Sequence, residues 1–184
     1  MTAPGKGREA MEFRKAVPSD LPAVMPVYRA AIRHMDEAGI HQWDEIYPSE
    51  ADIKEDIERG EMRLGLIGGA IASAFTLNSR QDEQYANGKW KYDGGRCAVV
   101  HRLCVRPDRQ NRGVGMQTME YAGKLLKTAG FESIRLDAFS QNPAALRLYE
   151  KLGFQRVGEA RFRVGQFYLF EKKLSFFSPF RDFY

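Results

Sequence analysis

Two rhythms of apolar positions alternate along this chain. A period of two marks strands, and a recurrence at three and four positions marks helices. Residues 11–17 alternate apolar and charged side chains and predict an amphipathic strand. Pro18 and Ser19 follow, with Ser19 read as the cap of a first helix. Its apolar stripe is Leu21, Val24, Met25, Tyr28, Ala31, Ile32 and Met35, and Gly39 ends it. Ser49 caps a second helix that runs to about Arg59. Strands are predicted over 63–67 and 70–77, turning at Gly68-Gly69. Residues 78–96 are polar, contain Asn87-Gly88 and Gly94-Gly95, and read as a long loop or protruding hairpin. A central strand over 97–105 and a helix over 113–129 come next, with Met119, Ala122, Leu125, Leu126 and Ala129 facing the core. A strand over 133–138 leads to a helix that begins at Asn142 or Pro143 and reaches Leu152. A hairpin over 154–162 and 164–174 closes the pattern.

This order predicts an α/β (α+β) fold, a mixed and mostly antiparallel twisted sheet of about seven strands with helices on both faces. At 184 residues the chain has the size of one domain, assigned to 11–174. Residues 1–10 read as a disordered leader. The aromatic tail over 175–184 carries Phe176, Phe177, Phe180, Phe183 and Tyr184. It is expected to pack on its own domain, with a homodimer contact as the alternative.

Composition narrows the function classes. The net charge of +4 suits an anionic ligand. No long basic run accompanies it, which argues against a nucleic-acid partner. No apolar run has the length of a membrane span and no secretory segment is visible, so the expected location is cytoplasmic with reduced thiols. Cys97 and Cys104 lie seven residues apart in one predicted strand, roughly 23 Å when extended. The odd spacing predicts opposite faces, and the two cannot pair. The histidines are scattered, and no metal site is expected.

The richest stretch is 101–115, HRLCVRPDRQNRGVG. It reads as a strand, a Pro-marked turn, an arginine-bearing loop and a helix start. Glycines at a helix N-terminus let backbone N–H groups turn toward an anion, and the helix dipole adds to the attraction. Arg106, Arg109 and Arg112 surround the loop. A Walker loop would need Lys-Ser/Thr where Met116-Gln117 stands, and a dinucleotide fingerprint would need a third glycine where Thr118 stands. Downstream, 133–154 reads SIRLDAFSQNPAALRLYEKLGF. Together the two segments resemble the GNAT family, the acetyl-CoA-dependent N-acetyltransferases. Gln110 to Gly115 match its Q/R-x-x-G-x-G/A loop in full, and the resemblance spans about 11–174.

The resemblance implies a central parallel strand pair, 99–105 and 133–138, that splays apart. Acetyl-CoA, the implied co-substrate, would bind there. Its pantetheine arm would bond the backbone of Leu103, Cys104 and Val105. Its pyrophosphate would sit over the N–H groups of Gln110, Asn111, Arg112, Gly113, Val114, Gly115 and Met116. Tyr149 would stand near the sulfur as general acid. Asn142, seven residues earlier, would share its helical face and address the same cofactor. Tyrosine titrates near 10 and a thiol near 8.5, so full proton transfer is uphill by roughly 2 kcal/mol and hydrogen bonding to the developing thiolate is the expected role. The base would be Asp137, twelve residues before Tyr149, or His101, four before Val105, or a water relay. Plain structural readings stand beside these: Tyr149 as core, Asp137 in a buried ion pair, His101 as a buried hydrogen-bonder. The first helix, the 41–48 loop and the terminal hairpin would enclose the acceptor. Trp43 and Tyr47 would form an aromatic wall, Asp44 and Glu45 would attract a cation, and Trp90 and Tyr92 would supply a lid. The implied reaction is acetyl transfer to a primary amine (a small amine, an amino acid or a peptide N-terminus) by direct attack in a ternary complex. The alternative is a non-catalytic acyl-CoA-binding module.

Overall fold

The computed structural model describes residues 10–174. The leader up to residue 9 and the aromatic tail over 175–184 lie outside the described residues. The elements are β1 (Glu12–Lys15), α1 (Leu21–Glu37), α2 (Glu50–Glu58), β2 (Met62–Ile67), β3 (Ala70–Asn78), β4 (Cys97–Val105), α3 (Val114–Thr128), β5 (Ser133–Phe139), α4 (Pro143–Lys151), β6 (Gln155–Phe162) and β7 (Gly165–Lys173). Among the described residues, no helix is long and apolar enough to cross a membrane.

The seven strands form one sheet in the order β1-β2-β3-β4-β5-β7-β6. Every neighbouring pair is antiparallel except β4 and β5. That parallel pairing is short, covering Cys97↔Ser133, Ala98↔Ile134 and Val99↔Arg135. Beyond it both strands continue without pairing each other, so the sheet opens there, as the resemblance implies.

A bulge accompanies the opening. Two residues of β4, Arg102 and Leu103, stand opposite the single Phe75 of β3, and Arg102 has φ 54°. The extra residue resets the alternation of side chains. Before it, His101 pairs with Thr76; after it, Cys104 pairs with Ala74, and both pairs face α1 and α2. Cys97 therefore shares a face with Cys104, which corrects the opposite-face expectation. Both are free thiols.

Three apolar clusters fill the two faces. The stripe of α1, the Ile53 and Ile57 positions of α2 and Trp43 pack under β2 and β3. On the other face α3 and α4 cover β4 and β5 through Met119, Ala122, Leu126 and Tyr149. The third cluster belongs to residues 79–96. These do not protrude. They lie along β6 with a 3₁₀ turn over Glu83–Asn87 that buries Tyr85 against Val99, Val157 and Leu169. Lys89 N–H bonds the Val157 carbonyl at 2.8 Å, and Trp90 Nε1 bonds the Tyr85 carbonyl at 2.8 Å. Behind them Arg135 stacks on the Trp90 ring at 4.1 Å and pairs with buried Glu171 at 3.3 Å. Trp90 is thus a latch. Tyr92 lies under Lys173, 5.6 Å from its ammonium. The lid expected of these two aromatics is corrected on that ground.

One cap also differs. A 3₁₀ turn over Pro18–Asp20 precedes α1, so the N-cap position falls on Asp20 and not on Ser19, and no side chain caps that end. The Asp20 carboxylate instead accepts the Val17 N–H at 2.8 Å and binds Arg14 at 2.7 Å, closing the turn. At α2 the cap is as read: Ser49 and Asp52 satisfy each other's N–H groups at 2.7 and 3.2 Å.

Candidate active site

The loop that joins β4 to α3 is held by its own side chains. Gln110 Nε2 donates to the Val105 carbonyl at 3.1 Å and folds the loop back on the strand. Asn111 (φ 58°) and Gly113 (φ 80°) are left-handed. Gly113 is the N-cap of α3, and no side chain caps that end. The first bond across the cap runs from Gln117 N–H to the Gly113 carbonyl at 3.0 Å. The N–H groups of Val114, Gly115 and Met116 therefore have no partner within the helix, and the dipole points the same way. A Cβ on Gly115 would stand 3.2 Å from Leu148 Cδ2, tight enough that the leucine would have to give by a few tenths of an ångström, and in ordinary contact with Val105 Cγ2 at 3.7 Å. Arg106 is held by Asp108 at 2.6 Å, and Arg112 is exposed. The arrangement suits a pyrophosphate beside the opened strands. The Cys104 thiol is directed away from it. It is buried beside the Val27 carbonyl, and burial pushes its pKa up to about 12. Only the backbone of Cys104 is available at the opening.

On the other side of the splay lies a cavity of about 840 Å³. It brings together Trp43, Tyr47, His101, Leu103, Asp137 and Tyr149. Its remaining walls come from residues 78–84, from the β6–β7 turn, and from further residues of the 42–52 stretch and of β4, Asp52 and Arg102 among them. No α1 residue lines it; Met25, Tyr28 and Ile32 line an adjoining groove instead. The loop over 110–116, Val105 and Asn142 are not on its wall.

Tyr149 is 6% exposed, wedged between Phe154 and Phe170 at 5.7 and 6.0 Å between ring centres. It is thus part of the core, yet its side chain also reaches the cavity. Burial first, then the nearby Asp137 carboxyl, pushes the phenol well above its ordinary value near 10. The group is a proton donor at rest. Among the described residues Asp137 is in no ion pair. Tyr85 donates to its Oδ2 at 3.0 Å. Burial raises the carboxyl to about 6, opposed by the Tyr85 hydrogen bond and assisted by Asp82. His101 Nε2 lies 2.9 Å from Asn78 Oδ1. Burial and the adjacent Arg102 guanidinium lower its pKa, so the ring is neutral at pH 7.

The aromatic wall is braced from behind. Trp43 is buried against Tyr28, 5.7 Å between centres. Tyr47 accepts a hydrogen bond from Arg102 Nε at 2.9 Å. Arg102 in turn pairs with buried Asp56, which also accepts from Thr76 at 2.7 Å, while the Arg102 carbonyl accepts from Tyr28 at 2.7 Å. Asp44 already holds a cation, Arg163, at 2.7 Å, and Glu45 is exposed on the adjoining groove. Asn142 spends its side chain on structure. Its Oδ1 accepts the Ala145 N–H at 3.1 Å and caps α4, and its Nδ2 donates to Gln42 at 2.9 Å, tying the 41–48 loop to α4. Tyr85, Asp82 and Arg102 are site residues that sequence reasoning missed. For Tyr85, an aromatic residue inside a polar run just before Asn87-Gly88 was the available signal.

The acetyltransferase (GNAT) family model matches residues 40–154, which run from the 41–48 loop through the α4 exit. The chain belongs to the GNAT acetyltransferase family. It is 32% identical over 96 residues to the ribosomal protein bS18-alanine N-acetyltransferase of Salmonella typhimurium, covering 46% of this chain and 65% of that relative's length. It is 25% identical over 157 residues to the L-methionine sulfoximine/L-methionine sulfone acetyltransferase of Pseudomonas aeruginosa, covering 84% and 85% of the two chains. Among solved structures, a GNAT-family acetyltransferase from Streptococcus agalactiae superposes with a TM-score of 0.78 at 25% identity, over 92% of this chain and 99% of that one. Thermoplasma acidophilum PaiA N-acetyltransferase, solved in complex with coenzyme A, shares the fold at a TM-score of 0.68 and 20% identity, over 89% and 99% of the two chains.

Proposed function

We propose that this GNAT chain moves the acetyl group of acetyl-CoA to a primary amine by direct attack within a ternary complex. The observation that carries this reading is the pairing of Asp137 and Tyr149 on one cavity beside the opened β4–β5 seam. Bound acetyl-CoA supplies an acetyl thioester, and the chain's own groups do the rest. The free N–H groups of Val114, Gly115 and Met116 hold its pyrophosphate. The unpaired β4 backbone over Leu103 to Val105 bonds the amide-rich arm, and an N–H from that strand steadies the carbonyl oxygen as negative charge develops. Asp137 takes the proton that the nitrogen sheds as the N–C bond forms. Tyr149 gives or shares its hydroxyl proton with the sulfur as the C–S bond breaks, and regains it from solvent. The net change is one proton moved from nitrogen to sulfur.

Asp137 is favoured over His101 because its carboxyl lies close enough to Tyr149 to shift that phenol, whereas His101 Nε2 is engaged by Asn78. The bS18-alanine and methionine sulfoximine relatives support acceptors within the primary-amine class. Cytoplasmic location remains part of the same reading, with Cys97 and Cys104 as free thiols.

The test is CoA thiol release from acetyl-CoA with a panel of amines, amino acids and peptides with free N-termini. Release that depends on an acceptor supports the transferase. No release with any acceptor, in protein that still binds CoA, favours a non-catalytic acyl-CoA-binding module.

A further inference from the structure

The cavity walls carry charge of both signs, but only one sign is left unanswered. Its cations are Arg80, Arg102 and Arg163. Each is already met by a carboxylate. Glu61 binds Arg80 through both oxygens, at 2.7 and 2.6 Å. Arg102 pairs with Asp56, whose carboxylate is only 4% exposed, and stands 3.9 Å from Asp52, an acid of the cavity wall that is thereby answered too. Asp44 binds Arg163 at 2.9 and 2.7 Å. The acids are treated differently. Asp82 and Asp137 line the same cavity, and among the described residues neither is paired with a lysine or arginine. Among the described residues the side-chain partner of Asp137 is a phenol, and Asp82 is an exposed part of the cavity wall. His101 does not offset them, being uncharged at pH 7.

We propose that the acceptor is an amine with no carboxylate beside its reacting nitrogen, and that a second positive charge on the acceptor improves its use. This deepens the acetyl-transfer reading and rests on it. A cleft with low-dielectric walls concentrates the field of its uncompensated charges on whatever enters. An ammonium approaching Tyr149 passes Asp82 and ends beside Asp137, gaining at each. A free amino acid brings a carboxylate on the carbon next to its nitrogen, within a few ångströms of Asp137. Among the described residues no free guanidinium lines the cavity to meet it. Engaging one would mean breaking Arg80 from Glu61 or Arg163 from Asp44. Peptide N-termini, amino-acid amides, and di- or polyamines meet no such conflict.

The experiment compares kcat/KM for matched acceptors in the CoA-release assay, at equal concentrations of unprotonated amine. Alanine is set against alaninamide, and butylamine against 1,4-diaminobutane. Alaninamide is expected to exceed alanine by about tenfold or more, and the diamine to exceed the monoamine by about threefold or more. Both ratios shrink as salt is raised from about 0.05 to 0.5 M. Two variants sharpen the outcome. Asp82→Asn reduces the diamine's advantage. Asp44→Asn retains a side-chain oxygen for the Ile46 and Tyr47 N–H groups, now bonded at 2.9 and 3.0 Å, while loosening Arg163, and it narrows alanine's deficit. Alanine used as well as alaninamide, or ratios that neither variant moves, overturns the inference while leaving acetyl transfer intact. No release with any of the four acceptors or with the free-N-terminus peptides of the wider panel, in protein that still binds CoA, rejects the transfer reading, and the inference with it.

Discussion

The two ends of this site are built from different materials. At the α3 end the polar groups are backbone N–H groups, presented by Gly113 in a left-handed conformation and by Gly115 where a Cβ would press on Leu148. Everything needed lies within a few consecutive residues. At the cavity end the polar groups are side chains drawn together from distant segments. Tyr85 reaches Asp137 across 52 residues of chain, and Asn142 ties α4 to Gln42 across 100. The first end depends on the absence of side chains, the second on the packing of many. Damage at the first should therefore appear in CoA binding, and damage at the second in turnover, acceptor use and pH dependence.

The largest expected effect is at the cavity end. Tyr149→Phe should lower kcat by about 100-fold or more, within the range for loss of a general acid, while the CoA dissociation constant moves less than about threefold. Parallel kinetics and calorimetry would check the split. Unchanged turnover would remove Tyr149 from the mechanism and leave it a core aromatic.

The converse pattern is expected from Gly115→Val. Its Cβ would meet Leu148 at 3.2 Å and its two methyl groups would add to the crowding at the helix N-terminus, so CoA affinity should fall about tenfold or more while a fully CoA-loaded enzyme keeps its acceptor KM. A variant that binds CoA normally would show that the glycine is not needed for approach.

Trp90→Ala should uncouple the 79–96 segment by removing the stack on Tyr85 and on Arg135. Because the ring is only half-buried, the expected cost is about 2–3 kcal/mol in denaturant unfolding, below that of a fully buried tryptophan. Turnover should fall with it, since Tyr85 then loses its hold on Asp137. Tyr85→Phe is milder. Without the phenol the Asp137 carboxyl loses the bond that holds it down, so the acidic limb of kcat/KM should move to higher pH with little change in CoA binding.

The smallest effect is thermodynamic. In the folded chain Asp137 holds its proton up to about pH 6, above the ordinary 3.8. Between those values the native state binds more protons than the unfolded one, so this group's contribution to stability is greatest at low pH and falls as pH rises through about 6. Asp137→Asn should therefore be more stable than the parent by about 1–2 kcal/mol at pH 8, with the difference fading near pH 4.

Much of this was legible in the sequence wherever a residue's role is local. The strand, turn and helix around Gln110 to Gly115 follow from glycine and proline placement, and the apolar stripe of α1 gives its buried face. Reading failed where long-range contacts decide. The bulge at Arg102 follows from no periodicity, yet it puts Cys97 and Cys104 on one face and directs a guanidinium into Asp56. The 79–96 segment has no apolar rhythm, because its few anchors, Tyr85 and Trp90, are spaced for a 3₁₀ turn lying on a sheet. The cap position moved from Ser19 to Asp20 because a 3₁₀ turn, tied by the Asp20 carboxylate to Val17 and Arg14, precedes α1. Tyr149, read both as core and as acid, has its ring packed in the core and its side chain on the cavity wall, a placement that periodicity alone does not give.

The central claim is that Asp137 and Tyr149 act on one acetyl-transfer reaction. The most direct test is the pH dependence of kcat/KM in the parent and in Asp137→Asn, with CoA affinity measured on the same samples. A base that must be ionised gives activity that rises through about pH 6. In Asp137→Asn that limb should vanish and the remaining rate should be low, with CoA bound as before. The same limb at the same pH in Asp137→Asn would contradict the account and move the base to another group.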